Sequence, residues 1–493
     1  MLRKINQVVD LSFADEILKD RYNQSIGRPA EDPEFLLRLC LLQYLYGDSD
    51  RQVIENARLN LAYKYFLGLA VDAEVPDYTT VSYFRAQRLG EEKFRAILEQ
   101  IVRQCIDKGL VKGKRQIIDS TAVFANISLS SLSGLVRKCR ENVLKTVAKQ
   151  DIKIAEELGA KELQNATPVK FASSEEALQK EIAAAGTLLD RVTTELKAKK
   201  IKPTEELQKD LALLEKAVAD RGEHAKDKLI SPVDPDARTG KKGSTKWEGY
   251  KTHIVMEEES GIITEVATTP ANATDGSQLR PLLKQQEKVH SLTPQELTAD
   301  KAYDWGENLE SLAAHKTIAN IALTRQFNPR SAGYFTVDDF LYDPEKIKLM
   351  CPAGHISASC YSEVLRYNYR LNKPGYAFQF KASLCNACPL KPKCVKNKEG
   401  RRVYISYYEP YFRMARERLA TEEGKEAYRN RYRVEQKMAD LTRYCGLRNC
   451  RYRGLGRARI HTLLSTTVCN IKRMVRLLWV EPDNCRPERV AAS

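Results

Sequence analysis

The chain lacks the features that mark membrane-spanning and secreted proteins. It contains no run of about 18 apolar residues. Its first residues, Met1-Leu-Arg-Lys-Ile-Asn-Gln, lack the apolar core of roughly 7–15 residues found in signal peptides. Cysteine is sparse as well, at 12 in 493 residues, too dilute for a disulfide scaffold. We therefore expect a soluble, cytoplasmic protein.

Positive charge is in excess. The chain has 80 Lys and Arg residues against 65 Asp and Glu, a formal net charge of +15. This balance favours a polyanionic partner, although an acidic membrane surface would also suit it. The hydrophobic share of 43% excludes a wholly disordered chain. At roughly 150 residues per domain, the length predicts about two to four domains.

The N-terminal residues, 1 to about 95, are predicted to form short helices joined by capped turns. Pro33 lies in the first turn of an apolar helix that Gly47 ends as a C-cap. Asp48-Ser49-Asp50 offers the next N-cap, and Thr79 or Thr80 is predicted to cap a third helix.

Three arginines are predicted to be exposed on these helices: Arg51, Arg85 and Arg88. Short helices with exposed arginines indicate a helix-turn-helix-like DNA-binding unit. An all-helical packing domain is the alternative, because this geometry is weakly specified by sequence.

A helical insertion follows a first predicted strand at residues 115–127. Apolar residues recur at steps of four and three in a heptad seam formed by Leu178, Ile182, Ala185, Leu189, Val192 and Leu196. After Lys202-Pro203-Thr204 the seam resumes at Leu207. The pattern predicts an antiparallel helical hairpin, with pairing to a second chain as the alternative. Residues 144–158 are a candidate third helix.

Strand signals return at about residue 232. Segments 249–256 and 262–269 alternate in polarity around turn residues, which predicts a β-hairpin. Further short strands are predicted at 296–300 and 317–324, each preceded by a helix. This alternation indicates a mixed α/β fold, in which helices cover both faces of a mixed sheet.

Three acidic residues stand at predicted element ends or in a helix. Asp119 and Asp300 each close a predicted strand, and Glu435 lies in a predicted helix. Such carboxylates can hold Mg²⁺, and two ions about 4 Å apart can activate a water or a 3′-hydroxyl for phosphoryl displacement. The alternative is ordinary, because Asp is common in turns and Glu on solvated helix faces.

Glu435 has two predicted neighbours on its helix. Tyr428, Arg431 and Glu435 lie at i, i+3 and i+7, which predicts one shared helical face. Arg431 could then bind a phosphate, and Tyr428 could stack on or hydrogen-bond to a nucleotide. As a plain surface pair, Arg431 and Glu435 would contribute only a few tenths of a kcal/mol.

Several blocks, taken together and in order, resemble the signature blocks of bacterial insertion-sequence transposases of the DDE type. They cover most of the chain outside the heptad insertion: Gly27-Arg-Pro29, Pro76-Asp-Tyr-Thr-Thr-Val-Ser-Tyr-Phe-Arg85, Ile118-Asp-Ser-Thr121, Ala271-Asn-Ala-Thr-Asp-Gly-Ser277, Ala299-Asp-Lys-Ala-Tyr-Asp304 and Tyr428-x-x-Arg431-x-x-x-Glu435.

This resemblance implies a ribonuclease H-like catalytic domain beside an N-terminal helical domain. It implies that Asp119, Asp300 and Glu435 form a triad binding catalytic Mg²⁺ or Mn²⁺. Arg431 and Lys301 would neutralise the scissile phosphate. The family often places a Lys seven residues beyond the Glu. Thr442 stands there in this chain, and the adjacent Arg443, about 80° around the helix from Glu435, is a candidate substitute.

The resemblance further implies cleavage at the element's inverted-repeat ends and strand transfer into target DNA. We expect a homodimer on DNA, in the cytoplasm and associated with the nucleoid, with no membrane partner. The alternative is a non-catalytic zinc-containing DNA-binding protein, such as a decayed transposase acting as a repressor. A nuclease without strand transfer is a third reading. The intact acids argue against decay.

A basic stretch precedes the predicted hairpin. Its candidate phosphate contacts are Arg238, Lys241, Lys242 and Lys246, and Trp247 and Tyr250 could stack on an unpaired base. A flexible charged linker is the alternative. Asp275, a rival carboxylate close to Asp300 in sequence, is interpreted as a loop residue that shapes the site.

Five of the cysteines cluster between positions 351 and 394. Cys385-x-x-Cys388 with Cys394 and Cys351 would satisfy a structural four-coordinate Zn²⁺, with His355 and Cys360 as alternates to Cys351. A redox Cys-x-x-Cys is disfavoured because no thioredoxin-like βαβ pattern surrounds it. Reduced, metal-free thiols are the other alternative.

The helical segment 409–479 is rich in arginine. Such a surface gives salt-sensitive DNA affinity, unless it is simply a solvated face. The predicted organisation is a helical DNA-binding domain (1–110), a catalytic domain (111–132, 232–324 and 401–480), a coiled-coil-like helical insertion (133–231), a cysteine-rich insertion (325–400) and a tail (481–493).

Overall fold

The computed structural model of this chain describes residues 1–21, 31–159, 175–220, 227–324, 333–367 and 371–479. The chain divides into two compact units: the first contains Met1–Lys112, Ile118–Leu292 and Arg433–Ser493, and the second contains Gly113–Ile117 and Thr293–Tyr432. No helix in the described ranges is long and apolar enough to cross a bilayer. The Gly27-Arg-Pro29 block lies outside the described residues.

The N-terminal part of the first unit is helical, as predicted. Its helices are α1 (Leu2–Val8), α2 (Phe13–Leu18), α3 (Pro33–Tyr46), α4 (Asp50–Leu59), α5 (Leu61–Leu67), α6 (Tyr78–Tyr83) and α7 (Gly90–Asp107). Gly47 ends α3 at a φ of +82°, and Ser49 begins α4 with a capping box, so both predicted signals are confirmed. The predicted Thr79 or Thr80 cap of α6 is wrong. Asp77 is the N-cap, and its side chain accepts from the Thr79 backbone N–H.

The first unit also contains a group of neighbouring strands. These are β1 (Arg115–Phe124), β2 (Arg238–Lys242), β3 (Thr245–Glu257) and β4 (Ile263–Pro270). The predicted hairpin is confirmed, because β3 pairs antiparallel with β4 from Tyr250↔Pro270 to Met256↔Ile263. Beyond residue 117, β1 lies next to β3. At this junction only a glycine fits: a Cβ on Gly249 would lie 2.3 Å from the Val123 carbonyl oxygen.

Gly249→Ala is expected to destabilise the first unit. Gly249 has a φ of +147°, which an L-residue adopts only with strain, and the new methyl group would also collide with β1. Together these effects should lower the free energy of unfolding by about 2–4 kcal/mol in denaturant titrations. Gly456→Ala is the matched control, because a Cβ there meets nothing within 4 Å. Equal stability of the two variants would contradict this packing.

The helical insertion forms its own apolar core. Its helices are α8 (Leu132–Gln150), α9 (Ile152–Glu157), α10 (Glu175–Ala198) and α11 (Glu205–Ala219). The heptad residues Leu178, Ala185 and Val192 are buried in a core shared with Leu144 and Leu214. The predicted pair of packed helices is thus confirmed, and α8 contacts both of them. The candidate third helix over 144–158 is divided at Asp151 between α8 and α9.

Three further helices complete the described part of the first unit: α12 (Leu279–His290) and, from the C-terminal segment, α17 (Tyr432–Tyr444) and α18 (Leu455–Leu478). The long α18 packs against α1, α3, α7 and β4. Every residue of this helix from Ile460 to Ile471 is buried. α18 is therefore a central helix of the first unit, although its buried residues include polar ones such as His461 and Asn470.

The described part of the second unit contains parallel strand pairs and two small antiparallel sheets. Its described elements are β5 (Glu296–Ala299), α13 (Gly306–Ala314), β6 (Ile318–Ile321), β7 (Leu341–Asp343), β8 (Lys348–Met350), β9 (Ser359–Tyr367), β10 (Leu371–Gln379), α14 (Ala382–Ala387), β11 (Arg402–Ser406), α15 (Glu409–Ala420) and α16 (Glu422–Arg429). The first residues of β1 pair in parallel with β5, and β5 pairs in parallel with β6.

The cysteine-rich segment has a small core of its own. Strands β9, β10 and β11 form an antiparallel sheet in the order β11-β10-β9. Phe340, Phe378, Phe380, Val403 and Ile405 are buried together on it. Cys351, Cys385 and Cys394 pack against this cluster.

Candidate functional site

Asp119 lies in the middle of β1 and not at its end. The β pattern predicted over 115–127 agrees with the observed strand, which continues to Phe124, but the prediction that Asp119 closes a strand is wrong. The carboxylate is 5% exposed, and its Oδ1 accepts the Ser120 backbone N–H at 2.7 Å. Ile117 and Ile118 before it are fully buried. A rigid, buried strand therefore fixes this carboxylate.

Asp300 directly follows β5, as predicted. It is the N-cap of a short 3-10 turn, Lys301–Tyr303, and its Oδ1 accepts the Ala302 backbone N–H at 2.8 Å. Its side chain is half-buried and Lys301 is exposed. The ring of Tyr303 is fully buried behind the turn. The Oδ1 atom of Asp300 thus stabilises the turn.

The second unit braces the strand that carries Asp300. Arg418 of α15 donates to Glu296 Oε2 at 3.0 Å and to Asn320 Oδ1 at 3.0 Å. Asn320 itself donates to Glu296. After the turn, Asp304 accepts the Thr324 backbone N–H at 2.6 Å. This network ties α15 to β5 and β6 and holds the start of the Asp300 turn in place.

Glu435 is exposed in the first turn of α17. A carboxylate is favoured there because the helix N-terminus carries partial positive charge. The predicted continuous helix from Tyr428 to Glu435 is wrong. Tyr428 lies in α16, which ends at Arg429, and Arg431 lies between the two helices. The i, i+3, i+7 face therefore does not exist, although Tyr428 and Arg431 are both half-buried.

The three acids belong to different units of the chain: Asp119 and Glu435 to the first and Asp300 to the second. Within the described ranges, no group of three or more His, Cys, Asp and Glu side chains is arranged to hold a metal ion. The metal-binding triad of Asp119, Asp300 and Glu435 stays a prediction. At the position where the family often has Lys, Thr442 is buried and donates to the Met438 carbonyl, while Arg443 is exposed.

Asp275 is held in an ion pair in the first unit. Lys251 Nζ lies 2.8 Å from Asp275 Oδ1 and also donates to the Ala273 carbonyl. His253 is buried beside it, 3.9 Å from Asp275 Oδ1. Burial lowers the pKa of His253 to about 4, so it is neutral at pH 7. Asp275 opens a 3-10 turn, which agrees with the interpretation of it as a loop residue.

Arg85 is not the exposed residue that the sequence predicted. It is 8% exposed, and its guanidinium bridges both carboxylate oxygens of Asp50 at 2.9 and 3.0 Å. Burial alone would raise the pKa of Asp50, but hydrogen bonds from Arg85 and Gln43 hold it below its usual value. The planar group also lies 4.9 Å from the Tyr452 ring. Arg85 therefore has a packing role in the first unit.

The other two N-terminal arginines lie closer to the surface. Arg51 is exposed and lies over the Tyr78 ring at 4.7 Å. Arg88 is half-buried and lies 5.9 Å from the Tyr83 ring. Their proposed contacts with DNA stay predictions.

The basic stretch is an ordered hairpin and not a flexible linker. Strands β2 and β3 pair from Arg238↔Gly249 to Lys242↔Thr245 around a turn at Gly243. Lys241 and Lys246 face each other directly across it, and both are exposed. Like charges opposite one another destabilise a sheet, so this arrangement favours binding of an anion.

The proposed base-stacking residues are buried. Trp247 is 4% exposed and lies over Gly240, where a Cβ would meet its ring at 2.4 Å. Its Nε1 donates to the Tyr250 carbonyl at 3.0 Å. Tyr250 is fully buried and donates to Asp234. The prediction that either ring stacks on an unpaired base is therefore wrong, because both rings belong to core side chains.

Arg238 also differs from its predicted role as a free phosphate contact. Its Nε and Nη2 bind the two carboxylate oxygens of Asp227, and its Nη1 donates to two backbone carbonyls. The hydrogen bond from Arg238 is the main reason that the pKa of Asp227 is well below its usual range. All of these donors are used within the chain, so Arg238 anchors the start of β2.

The acids of this stretch have a role that sequence reasoning missed. Asp234 Oδ1 accepts the Gly454 backbone N–H at 3.1 Å, and Asp236 Oδ2 accepts the Leu455 N–H at 2.9 Å. Both therefore neutralise the N-terminus of the buried α18. The signal was present as Asp-Pro-Asp, but its target lies more than 200 residues away in sequence.

The predicted zinc ligands line one small cavity in the second unit. Cys351, Cys385, Cys388 and Cys394 surround about 20 Å³, together with His355. That volume holds about one water-sized sphere. Cys360, the other alternate, is exposed on β9 and is not among the lining residues.

Backbone amides point at two of these sulfurs. The N–H of His355 donates to Cys351 Sγ at 3.4 Å, and the N–H of Arg401 donates to Cys385 Sγ at 3.4 Å. Such donors would stabilise thiolates that bind a metal. Burial is the largest cause that raises the pKa of Cys394; the charge of Arg401 opposes it, and the neighbouring thiols raise it further. The four sulfurs line one cavity but do not form a group arranged to hold a metal ion within the described ranges, so the zinc site stays a prediction.

Two family models match the chain. Residues 1–87 match a transposase domain (DUF772), and residues 350–475 match a transposase DDE domain. The second match includes the cysteine cluster and Glu435, whereas Asp119 and Asp300 lie outside it. No curated protein matches the chain. The two matches confirm the resemblance to insertion-sequence DDE transposases.

Proposed function

We propose that this chain, which matches two transposase family models, is an insertion-sequence DDE transposase that cleaves DNA strands at the ends of its element and joins them to target DNA. Asp119, Asp300 and Glu435 would bind the divalent cations Mg²⁺ or Mn²⁺. Those ions would activate the attacking water or 3′-hydroxyl and stabilise the leaving oxygen. The catalytic part would have the ribonuclease H-like fold.

One observation within the second unit carries this proposal. Arg115, Gln116 and Ile117 of β1 pair in parallel with Glu296, Leu297 and Thr298 of β5. Asp119 follows the last paired residue of β1 by two positions, and Asp300 follows the last paired residue of β5 by two. We propose that β1 and β5 keep this register for two more residues. The antiparallel β3–β4 pair of the first unit also suits a ribonuclease H-like order of strands.

The test supplies the full chain with a supercoiled plasmid that carries the DNA flanking its reading frame, together with Mg²⁺. A transposase produces nicks at both element ends and then joined products. Nicks without joined products would indicate a nuclease, and salt-sensitive binding with neither product would indicate a DNA-binding protein without catalysis. We expect the joined products, a requirement for the divalent cation, and a dimer on the paired ends.

We also propose a structural Zn²⁺ held by Cys351, Cys385, Cys388 and Cys394. Four thiolates complete a closed tetrahedral site, which supplies folding energy and leaves no position for substrate. The convergence of these side chains on one cavity of about 20 Å³ supports the proposal. His355 is the alternate to Cys351, because it lines the same cavity.

DNA contacts are proposed for Arg51, Arg88, Lys246, Lys301, Tyr428, Arg431 and Arg443. The β2–β3 hairpin has the clearest support among these regions, because its opposed lysines lack a stabilising role in the sheet. Each phosphate that such a lysine neutralises releases condensed counterions.

Lys246→Gln is expected to weaken DNA binding without loss of stability. The slope of log affinity against log salt should fall by about 0.9, because one phosphate contact is lost. The melting temperature should stay equal or rise slightly, since the repulsion from Lys241 is removed. Lys197→Gln, an equal charge change at an exposed position of α10, is the control. An unchanged salt slope for Lys246→Gln would exclude this contact.

A further inference from the structure

A second charged site is present in the first unit, on α17, α18 and α1. A cavity of about 630 Å³ lies there, and the described residues that line it include one carboxylate, Asp440, and several cations. The cationic side chains are those of Lys4, Lys437, Lys472, Arg473 and Arg476. The cavity is therefore strongly electropositive, and none of the functions proposed above uses it.

Lys437 is the unusual member of this set. Its side chain is 7% exposed. Its Nζ lies 4.0 Å from Cys469 Sγ and 3.9 Å from Asp440 Oδ2, which are both long contacts. A charged N–H···O⁻ hydrogen bond measures about 2.7–2.9 Å, so neither contact is of that kind. Burial of an ammonium group is costly unless it is paired and hydrogen-bonded. Lys437 thus has donor capacity for an anion in the cavity.

A second buried donor lines the same cavity. Trp479 Nε1 is buried and has no hydrogen-bond partner among the described residues. Buried indole N–H groups usually find an acceptor. Lys4 Nζ lies 4.9 Å from the centre of the Trp479 ring. The Trp479 N–H, which has no acceptor among the described residues, lies in a cavity lined by several cations. This combination indicates a ligand rich in hydrogen-bond acceptors.

The arginines of the cavity are crowded. Burial and then the positive charge of Arg476 lower the pKa of Arg473. Arg473 Nε donates to the Ser260 carbonyl, and Lys472 Nζ donates to the Tyr444 carbonyl at 2.7 Å. These two residues are therefore partly committed to the chain. An anion would relieve the repulsion between Arg473 and Arg476.

We propose that this cavity binds a nucleotide through its phosphate group. Lys437 and Arg476 would pair with the phosphate, and Trp479 Nε1 would donate to an oxygen or ring nitrogen of the ligand. A volume of about 630 Å³ far exceeds a bare phosphate and falls in the range of roughly 300–1,000 Å³ that small-molecule sites occupy. A free nucleotide and the 5′-phosphorylated end of a DNA strand share this chemistry.

The site is separate from the proposed triad. Lys437 and Glu435 are two residues apart on α17, which places them about 200° apart around the helix axis. Nucleotide binding here therefore does not rest on strand cleavage, and a catalytically inactive chain should still bind.

The test follows tryptophan fluorescence and the melting temperature of the full chain while dAMP is added at constant ionic strength. The chain has only 3 tryptophans, and Trp479→Phe should abolish the fluorescence response. Lys437→Met, which keeps most of the side-chain length but removes the charge, should weaken dAMP binding at least about tenfold without lowering the melting temperature. Arg476→Gln should weaken it similarly, and Lys197→Gln should bind as the unchanged chain does.

Two outcomes would overturn the proposal: dAMP that neither quenches fluorescence nor raises the melting temperature, or dAMP that binds Lys437→Met and Arg476→Gln as tightly as the unchanged chain. A short single strand with and without a 5′-phosphate then distinguishes the sources of the ligand. Tighter binding of the phosphorylated strand, lost in Lys437→Met, indicates a strand end. Binding of dAMP but of neither strand indicates a free nucleotide.

Discussion

Asp300→Asn is expected to abolish strand cleavage while DNA binding persists. The amide keeps the size of the side chain and an oxygen that can still accept the Ala302 N–H, so the turn after β5 should stay folded. What is lost is the negative charge that the proposed metal site needs. Removal of one preorganised electrostatic group typically costs about 10²–10³ in rate, and a metal ligand should cost at least as much.

The measurement is nicking of the end-bearing plasmid in Mg²⁺, with filter binding of the same DNA in parallel. Glu310→Gln removes an equal charge from an exposed position of α13 in the same unit, and it should cleave normally. Asp119→Asn and Glu435→Gln should be as inactive as Asp300→Asn, and the triple variant should be no worse, because residues that act as a unit are not additive. Undiminished cleavage by Asp300→Asn would remove the triad.

Cys388→Ser is expected to remove zinc from the chain and to unfold the cysteine-rich segment. A serine hydroxyl is a poor ligand, and loss of one of four thiolates opens a closed site. Structural zinc contributes apparent binding free energies of about 10–16 kcal/mol in small peptides. The small aromatic core around Phe378 should therefore lose its order when the metal leaves.

Metal content after exhaustive dialysis provides the readout, together with protease sensitivity of the segment. We expect about one zinc per unchanged chain. Cys360→Ser is the matched control, because Cys360 is exposed and outside the cavity lining. It should keep its zinc and its protease resistance. An unchanged chain without zinc, or a Cys388→Ser chain with full zinc, would contradict the site.

Local signals predicted the secondary structure well where they act within a few residues. The Gly47 C-cap, the Ser49 capping box, the β3–β4 hairpin and the heptad helices all depend on short-range geometry and hydrophobic period. The prediction of one helix from Tyr428 to Glu435 was wrong, although it depended on the same kind of local signal. Periodicity was correct on both sides, but α16 and α17 are separate helices with a break at Asn430 and Arg431.

Side-chain roles were less predictable than elements. Four residues are of the types that often contact nucleic acids, yet each has hydrogen-bond partners inside the fold: Trp247, Tyr250, Arg238 and Arg85. Sequence supplies the charge or the ring but not its neighbours. Lys246 and Lys241 differ from them only in that the hairpin turns both outward, against each other.

By itself the sequence determined the class of protein: a basic chain whose ordered blocks resemble DDE transposases, as two family matches confirm. Only the tertiary structure decided which cations are buried in ion pairs and which stay available. It also gathered four thiols from residues 351–394 around one cavity, and Lys437, Arg476 and Trp479 around another. The reason is physical, because local preferences depend on neighbours along the chain, whereas burial and charge pairing depend on neighbours in space.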